Sequence, residues 1–369
     1  MGMKELAARV KPLEVFLAVT HQEQRVMSIL PSKVFVGLDY HQHTIQVCVL
    51  DEQGNQLINA TRANAWQSVA EVVPEGVVVH AAIESCCGAA NFAEEMLQHT
   101  DWNLHLAHAG YVHRMKQSPD KTDYSDARLL ADLTRVGYLP KVWLAPLKTR
   151  ELRRLIRYRQ QQVNDRKSEK LRCSAILRDL RLKHPEGKRS WSKPWREWLV
   201  SLEMPSQSRW TMDQHLLKIE FLNQQIKLTE DRLKETIGED RLTKWLLTQE
   251  GIGLVTAVTL RAELGRFDRF RSGKQLARFC GVTPMNASSG ERQADAGLIK
   301  AGNRELRRVL IEAAHRLKRH SERWSELAER MKDRGKAPGV ISAAVANRWI
   351  RSLFYQEREA AKEGYSLAA

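Results

Sequence analysis

Two short apolar runs, each ending in a carboxylate, constrain this chain more than any other feature. Val34 to Leu38 suits a central strand and delivers Asp39 within VFVGLDYH, and Val77 to Ile83 is a second such run that delivers Glu84. Between them Ile45, Val47 and Val49 alternate as a neighbouring strand would, and Asp-Glu-Gln-Gly-Asn at 51–55 is turn chemistry. Residues 56–62 then read as a third strand and 66–73 as a short helix. Further on, DKTDYSDARLLADL sets Asp123 and Asp126 three apart, which puts both on one helix face. Elements in this order can aim four carboxylates into one cleft and hold a divalent metal against a phosphate. Mg²⁺ suits such a site because it takes oxygen ligands. This is the wiring of a nuclease or polynucleotidyl transferase in an α/β domain.

Each acid taken singly reads more readily as a solvated surface residue or a helix cap, so the weight falls on their order. Asp120 and Asp132 flank the pair but read as loop and surface positions. His41 and His43 read as turn or groove residues, because no second His or Cys cluster completes a zinc site.

The charge balance agrees with a polyanionic partner. Among 369 residues, 59 Lys plus Arg face 44 Asp plus Glu, a formal charge of +15, and contacts to phosphate made by such a field weaken with salt. Cys48, Cys86, Cys87, Cys173 and Cys280 form no CxxC pair, which predicts a reducing, cytoplasmic setting. No apolar run approaches a membrane span, and Val15 to Val19 is too short for a secretory signal.

The pattern changes near residue 145. Residues 1–32 read as an extension with a helix at 4–20, and 33–145 as the acidic-cleft domain. Residues 146–240 read as a basic helical arm, 241–335 as a further helical domain and 336–369 as a helical tail. The arm starts with one helix over 147–183, where twelve Lys or Arg stand against four Asp or Glu from Arg150 to Lys183. Such a face is either merely solvated or tracks phosphates, and Arg153, Arg157 and Lys170 are the candidates for contact. Trp191, Trp195 and Trp198 lie among basic residues in 184–205, either to stack on unpaired bases or to pack the loop onto its own helices. A second helix over 207–238 repeats Met212, Ile219, Ile226 and Leu233 every seven residues, a coiled-coil seam, so the two long helices with a basic hairpin between them look like an antiparallel arm of the kind that often joins protomers. LLTQEGIGLVTAVTLRAEL at 246–264 has the form of a helix-hairpin-helix, in which Gly251 and Gly253 would let backbone amides approach a phosphate; a plain helix–turn–helix packing unit is the alternative. A polar loop at 279–297 holds Ser288 and Ser289, and 299–320, with Lys300 and Arg307, is a basic amphipathic helix.

In this order the chain resembles the DEDD insertion-sequence transposases, which carry a RuvC-like domain of the ribonuclease H superfamily followed by a serine-bearing transposase domain. The resemblance rests on Gly37-Leu38-Asp39, Ile83-Glu84-Ser85, Thr122-Asp123-Tyr124-Ser125-Asp126-Ala127 and Gly251-Ile252-Gly253. It continues through Gly281-Val282-Thr283-Pro284 with Ser289-Gly290, and Lys300-Ala301-Gly302-Asn303 with Leu306-Arg307. The matching residues span about 33–320. Two departures are Cys86-Cys87, where the family more often has a small residue and Thr, and the extended N-terminus.

The resemblance implies a site-specific recombinase that excises and inserts its own element. A noncoding bridge RNA would pair with target and donor DNA while the protein reads backbone and shape. It further implies Mg²⁺ held by Asp39, Glu84, Asp123 and Asp126, Ser289 as nucleophile, and a dimer or tetramer whose active sites combine residues of two protomers. Two rivals remain at this stage. One is a ribonuclease H-like nuclease that uses water and forms no covalent adduct; the other is a nucleic-acid-binding scaffold indifferent to metal.

Overall fold

The structure is a computed structural model that describes residues 31–116, 122–286 and 295–362. It divides into two compact units between Ala145 and Pro146.

The first unit is built on a six-stranded sheet in the order β3-β2-β1-β4-β5-β6. Its strands are β1 (Lys33–Tyr40), β2 (Thr44–Leu50), β3 (Gln56–Ala63), β4 (Val78–Glu84), β5 (Asn103–Ala107) and β6 (Lys141–Val142). β1, β2 and β3 form an antiparallel meander, while β4 runs parallel to β1 and β5 parallel to β4. β1 therefore lies mid-sheet, which accounts for its unbroken apolar run. Three strands and the Glu84 strand stand where the sequence placed them. β5, β6 and the helices Ala89–His99 and Ala109–Met115, which separate Glu84 from Asp123, were not anticipated.

Strand alternation sorts the side chains onto two faces. Val34, Val36 and Leu38 of β1 join Val79, Ala81 and Ile83 of β4 and Phe92 and Met96 of the Ala89–His99 helix in one core. On the other face Phe35, Cys48 and Leu50 meet Ala127 and Ala131 of the Asp123–Arg135 helix. Ala82 packs there as well, with Leu130 and Leu133 of that helix. Gly37 sets the distance between helix and strand. A Cβ at this position would lie 1.9 Å from the Ala127 carbonyl oxygen and 2.5 Å from the Ala131 nitrogen, so only glycine permits the approach.

The second unit is helical apart from a two-stranded hairpin, Pro284–Asn286 and Asp295–Leu298. The arm's first helix runs Leu147–Asp179, a few residues short of the expected 183, and Arg181 with φ of 54° follows it in the left-handed region. The second runs Ser206–Ile237 and stops at Gly238. Met212, Ile219, Ile226 and Leu233 are buried as the heptad spacing demands. Their partners lie in the same chain. Met212 and Ile219 meet Cys173 and Leu177 of the first arm helix, and Leu233 meets Leu152 and Ile156. The seam is thus filled within the antiparallel arm itself.

Trp191, Trp195 and Trp198 pack against each other at the arm's tip, with Trp195 fully buried. Of the two sequence readings of this cluster, packing onto its own helices is the one seen. The stretch read as a tail is equally integral: Val345, Trp349, Ile350, Leu353 and Phe354 of the Pro338–Lys362 helix share a core with Leu246, Leu260, Leu276, Leu306 and Leu310.

Candidate metal and nucleic-acid site

Asp39 has the same strand parity as Phe35, and Glu84 the same parity as Ala82, so both carboxylates point to the face covered by the Asp123–Arg135 helix. Leu38 pairs with Ile83 in the parallel ladder, which brings Asp39 and Glu84 to adjacent ends of neighbouring strands. The helix is anchored by the other residues of its TDYSDA motif. Thr122 caps it by accepting from the Ser125 amide at 3.2 Å. The Tyr124 hydroxyl accepts from Gln56 of β3, and its carbonyl accepts from Asn59 at 3.1 Å. Asp123 and Asp126 thereby enter the first helical turn over the sheet end that carries Asp39 and Glu84. Cys86 lies in the field of both of those carboxylates. Its thiol is pushed up, first by burial and further by Glu84 and Asp39.

The cluster carries unbalanced negative charge. Asp39 is raised from its ordinary 3.8, foremost by burial and then by Asp126 and Asp123, against the lowering influence of His41. Two positive or protonatable groups answer it. His41 Nε2 lies 3.3 Å from Asp39 and 3.2 Å from Asp123. Lys116 Nζ lies 2.5 Å from Asp126, with both side chains mostly buried. Ligand atoms of Asp39, His41 and Asp123 come within 4.8 Å of one another, close enough for one ion to reach all three. An oxygen-rich set that already draws in an imidazole and an ammonium fits a hard divalent cation. His41 thus belongs to the cluster, where its sequence position alone read as a turn; its place two residues after Asp39 was the available signal. Lys116, ten residues before Asp126, had none.

The residues read as nucleic-acid contacts divide sharply. Arg153 donates to the Ala262 carbonyl at 3.0 and 3.1 Å and lies 3.5 Å from Glu263. Arg157 grips the same carboxylate in bidentate fashion at 2.8 and 2.9 Å. Glu263 is buried and also accepts from Asn303 at 2.8 Å. These two arginines therefore clamp the arm to the Leu254–Leu264 helix, and Arg157 remains exposed. Lys170 is half-buried over the Trp191 ring at 4.9 Å, and burial is the first cause of its lowered pKa. Arg307 likewise works inward, donating to the carbonyls of Gly281, Ile299, Lys300 and Gly302 at 3.0–3.2 Å. Lys300 is exposed.

Glu263→Ala is expected to cost about 1–3 kcal/mol, since it removes the buried acceptor shared by Arg153, Arg157 and Asn303. Urea denaturation of the variant checks this; a loss under about 0.5 kcal/mol would contradict the clamp.

The helix-hairpin-helix has the expected outline: Arg241–Thr248, a turn at Gly251 with φ of 79°, and Leu254–Leu264 starting from Gly253. A Cβ on Gly251 would lie 2.7 Å from Leu317, whereas Gly253 faces open space. A pocket of about 460 Å³ opens at this turn, between Arg159 and Arg316. Ser288 and Ser289 lie outside the described residues, between the Pro284–Asn286 and Asp295–Leu298 strands in sequence. The GVTP and KAGN motifs meet beside that pair of strands. Gly302 faces Gly281 so closely that a Cβ would lie 2.3 Å from the Gly281 Cα.

Two family descriptions match along this chain. Residues 36–181 match a DEDD transposase family of IS110 type, covering the acidic face and the first arm helix. Residues 243–329 match the transposase IS116/IS110/IS902 family, covering the hairpin, the serine loop and the helix after it. The chain belongs to the IS110 family of insertion-sequence transposases. It is 26% identical over 332 residues to the transposase for insertion sequence element IS1328 of Yersinia enterocolitica, a match across 87% of this chain and 96% of that one. Identity to the transposase for IS1111A of Coxiella burnetii is 24% over 287 residues, or 77% and 78% of the two chains. The y4qE chain of Sinorhizobium fredii is 31% identical over 205 residues, and there the match spans 53% of this chain and about half, 47%, of the relative. An IS110 transposase is an enzyme of transposition, and a DEDD acid set at the sheet end indicates a divalent metal. None of the helices among the described residues is long and apolar enough to cross a membrane.

Proposed function

We propose that this IS110 transposase cuts and rejoins DNA through a serine nucleophile at a Mg²⁺-bound acidic site in a RuvC-like domain, directed to its sites by a bridge RNA. One arrangement supports this above all. Asp39, Glu84, Asp123 and Asp126 are turned to one face of a sheet ordered β3-β2-β1-β4-β5-β6, and burial, with the like charge of Asp126 and Asp123 added to it, raises the Asp39 pKa. A meander followed by two parallel strands is also the topology expected of a ribonuclease H-type domain. Bound there, Mg²⁺ would stabilise the charge that develops on the scissile phosphate.

The carboxylates would hold the cation that positions that phosphate in line, and Ser289 attacks phosphorus. Its Oγ–P bond forms as the bond to the leaving nucleotide oxygen breaks, and the serine proton ends on that oxygen. Attack by the hydroxyl of an incoming strand reverses the step, so one phosphodiester is exchanged for another and no external energy source is consumed. Target DNA, donor DNA and the guide RNA are the partners in this reading. It also includes a dimer or tetramer with composite active sites. Since the heptad seam is used internally, a second stripe on the same helix is the surface suited to self-association. Trp210, Leu217, Phe221 and Leu228 are all more than half exposed and fall on one face, at intervals of seven, four and seven residues.

A suicide DNA substrate carrying the element's end is the test. It should trap a denaturant-resistant adduct that maps to Ser289, and Ser289→Ala should abolish the adduct while the protein still binds DNA. Metal-dependent cleavage without an adduct in either protein would assign the chemistry to a water nucleophile. An adduct lost only in Ser288→Ala would move the nucleophile by one residue.

A further inference from the structure

The Glu322–Asp333 and Pro338–Lys362 helices frame a cleft of about 930 Å³, most of whose lining lies beyond both family matches. Six cations line it: Arg323, Arg330, Arg334, Lys336, Arg348 and Arg351, against the single carboxylate of Glu359. Among the described residues, none of the six lies within ion-pair distance of a carboxylate. Several arginines of the arm are matched by carboxylates, as Arg159 is by Glu230 and Arg209 by Asp213. Six unmatched cations gathered in one concavity repel each other and concentrate anions. Arg351 adds a second signal: its Nε is buried with no acceptor, an unmet donor inside a cationic cleft.

Aromatic groups complete the lining. Trp324 forms buried floor, with the Arg323 guanidinium 4.8 Å from its ring centroid. Tyr355 is half exposed, held edge-on against Phe354 at 5.2 Å between centroids. Duplex backbone asks only for charge, whereas an exposed ring beside cations suits a strand whose bases are free to stack.

We infer that this cleft binds a single-stranded nucleic-acid segment, with phosphates on Arg330, Arg334, Lys336 and Arg348 and an unpaired base on Tyr355. The inference rests on the nucleic-acid reading above and adds a site to it, remote in sequence from the carboxylates. Fluorescence anisotropy of the full chain tests it, using an unstructured RNA, a DNA of the same sequence, and each annealed to its complement.

The triple variant Arg330→Gln, Arg334→Gln, Lys336→Gln changes only exposed residues and should unfold at the parent temperature. It should bind single strands more weakly, with the log–log salt slope reduced by about 2, or roughly 0.7 for each lost contact. Tyr355→Ala should weaken single-strand binding about tenfold, and Tyr355→Phe should leave it intact. A preference between the RNA and DNA probes would identify the strand. Parent-like affinity and slope in the triple variant, with the parent chain binding normally, would refute the cleft and leave the nucleic-acid reading standing. Failure of the parent chain to bind any probe would sink both. Duplex binding as tight as single-strand binding, and indifferent to Tyr355→Ala, would refute the unpaired base.

Discussion

Asp39→Asn is expected to lower strand cleavage about a thousandfold or more, the scale seen when a group that stabilises transition-state charge is removed. Glu84→Gln, Asp123→Asn and Asp126→Asn should act alike. The folded state should not suffer from the Asp39 change. Because the Asp39 pKa is raised above 3.8 on folding, the folded chain holds that proton more tightly than the unfolded chain does. Stability is therefore lost as pH rises from 3.8 through the raised value, and neutral Asn escapes the loss. An inactive variant at least as stable as its parent is the signature of a group kept for chemistry at the expense of the fold. Thermal unfolding near neutral pH, paired with a cleavage assay, reads both effects. Near-normal cleavage by any two of the four variants would break the metal-cluster assignment.

Gly37→Ala should produce the opposite combination, losing stability and activity together. The new methyl would lie 1.9 Å from a backbone oxygen and 2.5 Å from a backbone nitrogen, and neither can swing aside as a flexible side chain could. The Asp123–Arg135 helix must lift off the sheet, at about 3 kcal/mol or more for an overpacked contact between main chains. Asp123 and Asp126 ride on that helix, so their displacement by even about 1 Å should cost about a further hundredfold in cleavage. Urea denaturation and cleavage assays of the same preparation check the pair. A stable, active Gly37→Ala protein would show that the helix does not approach the strand this closely.

Much of the acidic face was legible in the sequence because its elements are short, periodic and strongly punctuated. Val34 to Leu38 and Val77 to Ile83 have the length and composition of interior strands, and a carboxylate directly after each is an anomaly that asks for a function. Asp123 and Asp126 were equally plain, since a three-residue spacing on a helix is a local property. The surroundings of that face were less legible. β5 and β6 are short and close the sheet through pairings that no local pattern announces. His41 and Lys116 acquire meaning only once β1 and the Asp123–Arg135 helix are brought together.

The basic residues show the same limit from another side. Arg153, Arg157 and Arg307 carry the composition of a phosphate-binding face, yet a guanidinium serves equally well to hold a buried carboxylate or a row of carbonyls. Only the tertiary fold reveals Glu263 opposite the first two and the Gly281 and Gly302 turns opposite the third. The heptad spacing of Met212 to Leu233 specified a seam, while the other long helix and the hairpin between the two pointed to a partner in the same chain. Periodicity marks a face to be covered and leaves the covering element unnamed.

The most direct test of the acidic site is the unfolding temperature of the parent chain and of Asp39→Asn, each measured with a chelator and with increasing Mg²⁺. A metal bound only by the folded state stabilises it by about 2.7 kcal/mol when present at about a hundred times its dissociation constant. The parent should therefore gain several degrees with Mg²⁺. Asp39→Asn should start at or above the parent in chelator and then fail to respond. Equal shifts in the two proteins, or none in a parent chain that still cleaves DNA in chelator, would contradict a catalytic metal held by these carboxylates.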